Sequence, residues 1–219
     1  MPNEKMNDFI NKEILDYVEL FSQKEPDILK ELNRETNLKV LNPRMLSGAY
    51  QGRVLSMISK LLKPKKVLEI GTYTGYSAIC ISEGLDLNGT IHTIDKNEEL
   101  FNIQRKYFDK TKNGNVFFQY VGNALEIIPT INENFDLIFI DADKENYLNY
   151  FNLVIDKLNT NGLIITDNVL WSGKVLKKPV EEDTVTNILI EYNDFINCDK
   201  RIETIILPIR DGISISRKV

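Results

Sequence analysis

The sequence predicts an α/β protein in which a helical segment precedes a mostly parallel sheet. After residue 66, short apolar runs alternate with helical patterns. This alternation is typical of right-handed βαβ units whose strands are covered on both faces. Near the end of the chain, two strand-like runs flank a tight turn at Arg210, Asp211 and Gly212, which indicates that one strand is antiparallel.

The first 62 residues are predicted to form helices. The first helix rests on apolar residues at helical spacing, namely Phe9, Ile10, Ile14, Tyr17, Val18 and Phe21. Pro26 suits the first turn of a second helix, and Asn42 with Pro43 is expected to start a third. We expect one domain over residues 1–219, with a helical extension over 1–62 and the sheet-containing core over 63–219.

The core is expected to alternate strands with helices. Strands are predicted at residues 67–70, 90–94, 116–121, 135–140, 162–166, 202–209 and 213–219. Helices are predicted near 76–84, 97–110, 123–128 and 144–158.

The composition excludes several classes of function. The net charge of the 219 residues is −5, so no electrostatic footprint for nucleic acid is visible. The two cysteines, Cys80 and Cys198, cannot supply a disulfide framework or a zinc site, and a single histidine, His92, removes most sites built on imidazole. With no long apolar run, the chain is predicted to be cytoplasmic, with no membrane partner.

The stretch VLEIGTYTGYSA places a glycine loop where open α/β sheets bind ligands, outside the carboxyl end of a strand. A dinucleotide loop needs glycine at alternate positions, but Tyr73 lies midway between Gly71 and Gly75. Glu69 would also repel a phosphate. The loop therefore suits a ligand that has no phosphate and carries a positive charge.

Asp95 ends the second predicted strand, where an acid can accept hydrogen bonds from both ribose hydroxyls. The alternative is that Asp95 caps a helix opening at residues 97–99. Taken together, the glycine loop, Glu69 and Asp95 point to S-adenosylmethionine, a sulfonium with a ribose and no phosphate. After the third strand, the small side chain of Ala124 would leave room for adenine.

Six stretches carry a resemblance to a known family: VLEIGTYTGYSA, TIDKNEE, GNALEIIP, FDLIFIDADKENY, DNVLWSGKV and ILPIRDGISISRK. From about Met45 to the C-terminus, the chain resembles the cation-dependent O-methyltransferases of the caffeoyl-coenzyme A type, with catechol O-methyltransferase a more distant relative. The resemblance implies a Rossmann-like class I methyltransferase fold with a seven-stranded sheet and an antiparallel last strand. It also implies a homodimer and a divalent cation.

Position by position, the resemblance assigns Asp141, Asp167 and Asn168 to the metal and Lys144 to the general base. The assigned cofactor contacts are Met45, Ser47, Glu69, Gly71, Tyr73, Ser77, Asp95, Ala124 and Asp141. Trp171 and Tyr192 fall where relatives contact the acceptor. Residues 174–185 and the N-terminal helices differ most across the family, so the resemblance to plant relatives alone does not identify the acceptor of this chain.

The metal assignment also makes physical sense. Asp141 follows the fourth strand and Asp167 and Asn168 follow the fifth, so neighbouring parallel strands would bring their side chains to one sheet edge. Three oxygen donors suit Mg²⁺, Mn²⁺ or Ca²⁺ rather than zinc or copper. The alternative is that Asp167 and Asn168 are ordinary turn residues. Asp143 is expected to cap the helix that begins near Lys144.

The expected reaction is methyl transfer from S-adenosylmethionine to one of two adjacent hydroxyls of an aromatic acceptor. Lys144 would take the proton; alternatively, it is an exposed helical lysine. A second interpretation makes the acceptor a hydroxyuridine in tRNA, as in some bacterial relatives, although the acidic balance disfavours it. A third is a non-catalytic module that binds an adenosyl ligand.

Overall fold

The computed structural model describes residues 11–112, 114–177 and 182–219. The strands are β1 Lys66–Ile70, β2 Thr90–Asp95, β3 Phe117–Val121, β4 Phe135–Ile140, β5 Leu158–Asp167, β6 Ile202–Leu207 and β7 Ile213–Lys218. They form one seven-stranded sheet in the order β3-β2-β1-β4-β5-β7-β6. β7 runs antiparallel to both of its neighbours, β5 and β6, and the other paired strands are parallel. The predicted fold class is confirmed.

The helices are α1 Lys12–Phe21, α2 Asp27–Lys39, α3 Ala49–Leu62, α4 Tyr76–Ser82, α5 Phe101–Lys110, α6 Ala124–Ile127, α7 Tyr147–Val154 and α8 Thr184–Cys198. Phe9 and Ile10, predicted to lie in the first helix, are outside the described residues. Among the described residues, no helix combines the length and the apolar character needed to cross a bilayer.

Two helix predictions require correction. Pro43 starts only a short 3-10 turn, Pro43–Met45, and α3 begins at Ala49. The helix cannot run through this segment because Leu46 is extended and Gly48 has a φ of +77°. Helix α8 was not predicted, although its buried residues Leu189, Tyr192 and Ile196 recur at helical spacing.

The sheet is buried on both faces, which explains the continuous apolar run in β4. Leu137 and Phe139 pack into the cluster that includes residues of α2, α3 and α5. The intervening Ile138 and Ile140 pack into the cluster formed with α7 and α8. Because the sheet separates two apolar layers, polar groups concentrate at the strand ends.

The strand order reverses between β1 and β4. The chain leaves β1 in one direction and β4 in the other, so a crevice opens between their carboxyl ends. Open α/β sheets bind ligands at this type of reversal.

Candidate active site

A large cavity opens above the carboxyl ends of β1, β2, β4 and β5. Twelve predicted site residues line it: Met45, Ser47, Gly71, Tyr73, Ser77, Asp95, Ala124, Asp141, Lys144, Asp167, Asn168 and Trp171. The fold therefore brings together residues separated by more than a hundred positions in the sequence. Glu69 and Tyr192 are the two predicted site residues that do not belong to this wall.

The glycine loop is held by contacts on both sides. The backbone N–H of Tyr73 donates to Asp95 Oδ2 at 2.6 Å, and Gln104 donates to the Tyr73 carbonyl at 2.8 Å. The Tyr73 hydroxyl reaches the carbonyls of Leu41 and Asn42, each at 3.2 Å. Tyr73 thus joins the loop to the segment that leads to Met45.

Asp95 ends β2 at the cavity wall and is partly buried. Its second oxygen accepts from the N–H of Asn97 at 2.8 Å. Burial raises the pKa of Asp95, and the backbone hydrogen bonds from Asn97 and Tyr73 oppose this shift. The side chain of Asn97, and not that of Asp95, caps the following 3-10 turn by accepting from Glu99 N at 3.1 Å.

The remaining predicted cofactor positions are small or partly enclosed. Ser47 and Ser77 are buried at the wall, and Met45 is largely exposed. Ala124 is the first residue of α6, where the Asn123 side chain accepts from Leu125 N at 3.1 Å. Asn123 and Ala124 both line the cavity, and Ala124 contributes only a methyl group there.

Glu69 does not lie where a direct cofactor contact was expected. It is fully buried behind the loop, where Ser77 Oγ donates to Oε1 at 2.6 Å and Thr93 Oγ1 donates to Oε2 at 2.5 Å. Burial raises the pKa of Glu69 to about 8, and the charges of Asp141 and Asp95 act in the same direction. The carboxyl group thus holds the hydroxyl of Ser77, which lines the cavity, while Glu69 itself does not line it.

The two acids assigned to the metal come from neighbouring strands. Asp141 follows β4, and Asp167 is the last residue of β5. Asp167 Oδ1 accepts from the N–H of Asn168 at 2.7 Å, and Asn168 has a φ of +60°. Burial, together with the charge of Asp141, raises the pKa of Asp167 to about 7. Two carboxyl groups from neighbouring strands therefore meet at this edge of the sheet.

Lys144 lies beside this pair of acids. Its Nζ donates to Asp141 Oδ1 at 3.2 Å and to the Ala142 carbonyl at 3.0 Å. The amine is 5.0 Å from the centre of the Tyr147 ring, and the side chain is 13% exposed. The alternative of an exposed helical lysine is wrong.

Asp143 makes no side-chain cap at the turn Lys144–Asn146. Its carboxylate instead accepts from Tyr150 Oη at 2.6 Å and from the Asn146 amide. The predicted cap is wrong because these side-chain donors occupy both oxygens.

Trp171 lies on the wall within a strained segment. Trp171, Ser172 and Gly173 all have positive φ values, at +46°, +52° and +75°. Asp211 stabilises this conformation by accepting from both the N–H and the hydroxyl of Ser172. Residues 178–181 of the predicted variable segment lie outside the described residues.

Tyr192 does not reach the cavity. It is fully buried on α8, its hydroxyl lies 2.6 Å from Thr166 Oγ1, and its ring meets Tyr147 edge-on at 5.4 Å. The expected acceptor contact is replaced by a contact in the core, since α8 packs this face against the sheet.

Sequence reasoning treated Arg210 and Asp211 only as turn residues, yet both line the cavity. The sequence offered only the predicted final pair of strands, and the structure adds that β7 pairs antiparallel with β5, with Ile213 opposite Asp167. The turn before β7 must therefore lie beside the end of β5.

The fold and the loop define the class of protein, a Rossmann-like methyltransferase. The SAH-bound methyltransferase from Podospora anserina superposes with a TM-score of 0.85 at 29% identity, covering 96% of this chain and 97% of that one. An O-methyltransferase from Bacillus cereus in complex with SAH gives a TM-score of 0.81 at 25% identity, covering 94% and 97%.

The sequence comparisons agree. Residues 19–219 match the O-methyltransferase family. A caffeoyl-CoA O-methyltransferase from Petroselinum crispum is 35% identical over 207 residues, covering 90% of this chain and 86% of the relative. One from Arabidopsis thaliana is 34% identical, covering 90% and 80%. The chain belongs to the O-methyltransferase family and is an S-adenosylmethionine-dependent enzyme. The interpretation as a non-catalytic module is therefore not retained.

Proposed function

We propose that this enzyme methylates one of two adjacent hydroxyls of an aromatic acceptor, with a divalent cation held by Asp141, Asp167 and Asn168. One observation carries the proposal: two acids from neighbouring strands and a largely buried lysine line the same cavity wall as the cofactor loop. The acceptor named for the caffeoyl-CoA relatives supports a catechol-like acceptor for this chain.

The residues fit a hard divalent cation. Their donors are two carboxylates and one amide oxygen, the ligand types of Mg²⁺, Mn²⁺ and Ca²⁺. No group of three or more His, Cys, Asp or Glu side chains is placed to hold a metal within the described ranges. The proposed site thus needs the amide of Asn168. Asp167 and Asn168 are adjacent in the chain, and Asp167 lies in the strand next to the one that leads to Asp141.

S-adenosylmethionine supplies an already activated methyl group, so the protein must mainly align an oxygen with it. A divalent cation would favour the ionised form of a phenolic hydroxyl. The chain's own groups then have separate tasks. Asp95 offers acceptors for ribose hydroxyls, Trp171 offers an apolar wall to an aromatic ring, and Lys144 takes a proton from the acceptor.

The proposal is tested by turnover of 3,4-dihydroxy and 4-hydroxy aromatic acceptors with and without chelator. We expect turnover only of the dihydroxy compound, loss of turnover with chelator, and recovery with Mg²⁺ or Mn²⁺. Asp167→Ala should show the same loss of turnover as the wild type with chelator. Both the variant and the chelator-treated wild type should still bind S-adenosylmethionine. Full turnover of the monohydroxy compound in excess chelator would refute the metal site. Methylation of bulk tRNA, with no turnover of the catechol panel, would favour the hydroxyuridine interpretation.

We further propose that the enzyme is a homodimer. Helix α1 has no buried residue, and Ile14, Tyr17, Leu20 and Phe21 are all more than half exposed. Ile205 and Ile206 are also exposed on the edge strand β6. A second copy would cover such apolar surface. Light scattering should give about twice 25.3 kDa, and a 25.3 kDa particle across micromolar concentrations would remove this proposal.

A further inference from the structure

Gln51 and Arg210 form a hydrogen-bonded chain that ends on Asp167. Gln51 lies in the first turn of α3 and is 1% exposed. Its Nε2 donates to Asp167 Oδ2 at 2.7 Å, and its Oε1 accepts from Arg210 Nη1 at 3.5 Å. Neither residue has a role in the function proposed above.

The amide of Gln51 satisfies both ends of this chain. A guanidinium can only donate and an ionised carboxylate can only accept, so the group between them needs one acceptor and one donor. The two partners also determine which way the Gln51 amide points. A glutamate at this position would place two acceptors face to face, and a lysine would place two donors face to face.

Arg210 is itself anchored. Its Nη1 carries two hydrogens and donates to the Leu46 carbonyl at 2.7 Å and to the Ser47 carbonyl, so the longer contact with Gln51 Oε1 shares one of these hydrogens. The backbone of Arg210 has a φ of +49°, in the turn that pairing of β7 with β5 places beside Asp167. Arg210 therefore ties the segment that carries Ser47 to the start of α3.

We propose that Gln51 is a positioning residue for the metal ligand Asp167 and that Arg210 holds the Gln51 amide in its working orientation. This inference rests on the metal site proposed above. Asp167 Oδ1 accepts from Asn168 N and Oδ2 accepts from Gln51 Nε2, so two donors set the plane of the carboxylate. The remaining lone pairs of both oxygens stay free to face a cation. Partners that orient ligands in this way typically change metal affinity when removed.

The test is Mn²⁺ binding by the full chain, measured by electron paramagnetic resonance with SAH present and no acceptor. Gln51→Met keeps the length of the side chain but removes the donor. We expect its Mn²⁺ affinity to fall about 10–100-fold, while SAH affinity measured by calorimetry stays within about twofold of the wild type. Ser59→Ala is the matched control. It removes another buried hydrogen bond of α3, from Ser59 Oγ to the Ile81 carbonyl at 2.6 Å, and should leave Mn²⁺ affinity unchanged.

The outcomes separate this inference from the proposed function. If the wild type binds no Mn²⁺, or if Asp167→Ala binds it equally well, the metal site itself fails. If the wild type binds Mn²⁺ and folded Gln51→Met binds it with an affinity within about twofold of the wild type, Gln51 does not position Asp167. Should Gln51→Met not fold, Arg210→Met decides. If Arg210→Met lowers the Mn²⁺ affinity at least about threefold, the role of the hydrogen-bonded chain is supported. If the affinity of Arg210→Met is unchanged, the proposal is overturned.

Discussion

Gly71 and the backbone of Asp141 are in direct contact across the ends of β1 and β4. A Cβ placed on Gly71 would overlap the Asp141 carbonyl oxygen, and Gly71 has a φ of +99°. Backbone hydrogen bonds hold both residues, from Asp141 N to the Ile70 carbonyl and from Gly71 N to the Ile94 carbonyl, each at 2.9 Å. The glycine loop and the acid proposed to bind the metal therefore form one closely packed unit.

Gly71→Ala should force the backbone at residue 71 away from the backbone of Asp141. We expect a loss of about 1–3 kcal/mol of stability from the overlap, since side chains forced into a packed place typically cost that much. S-adenosylmethionine affinity should fall as well. Urea unfolding and calorimetry measure the two effects. Gly122→Ala is the stability control, because it also has a positive φ but meets only an Ile127 methyl group at 3.2 Å. Equal stability losses for the two variants would contradict the contact argument.

Asp95→Ala should weaken S-adenosylmethionine binding. The variant removes the acceptors offered to the ribose and releases Tyr73 N and Asn97 N, and hydrogen bonds to a charged group contribute about 1.5–3 kcal/mol. Calorimetric titration measures the change. Asp95→Asn keeps one oxygen acceptor and should bind with intermediate affinity. Unchanged affinity in folded Asp95→Ala would remove Asp95 from the cofactor site.

Lys144→Ala should lower the catalytic rate constant by roughly 10²–10⁴-fold, the usual range for a positioned general base. The difference in catalytic rate constant between the wild type and Lys144→Ala should shrink as pH rises, because the acceptor hydroxyl then ionises without a general base. Lys144→Arg provides the control for charge, since a guanidinium stays protonated and cannot take a proton. The catalytic rate constant of each variant, measured as a function of pH, distinguishes a general base from a positive charge. If the arginine variant recovers wild-type turnover, Lys144 acts through its charge and not as a base.

Glu69→Gln should change how stability depends on pH in the cofactor-free protein. Folding raises the pKa of Glu69 from 4.5 to about 8, so between these values the folded state holds a proton that the unfolded state has released. The stability contributed by the protonated group is complete below about 4.5 and is lost as pH rises toward 8. Urea unfolding from pH 5 to 8 should show a shallower decline for Glu69→Gln than for the wild type. Glu98→Gln, at an exposed position, is the control. Equal slopes for wild type and Glu69→Gln would contradict the raised pKa.

The sequence by itself determined which residues stand at the strand ends. Apolar runs define where β1, β4 and the second half of β5 lie, because strands buried on both faces are rich in apolar residues; Glu69 in β1 is an exception. The polar residues that follow, Gly71, Asp141 and Asp167, then necessarily meet at one sheet edge. This reasoning is local, and it correctly located most of the cavity wall.

Tertiary structure decided where individual side chains point. Glu69 and Tyr192 are fully buried and do not line the cavity. The helical spacing of Leu189, Tyr192 and Ile196 is consistent with burial of Tyr192, whereas a glutamate is rarely expected to be buried inside a strand. The chain from Arg210 through Gln51 to Asp167 joins residues 159 and 116 positions apart. Such contacts depend on how α3 and the final hairpin pack against β5. Local patterns encode backbone conformation and burial, whereas the partner of a buried polar group is chosen only when distant elements come together.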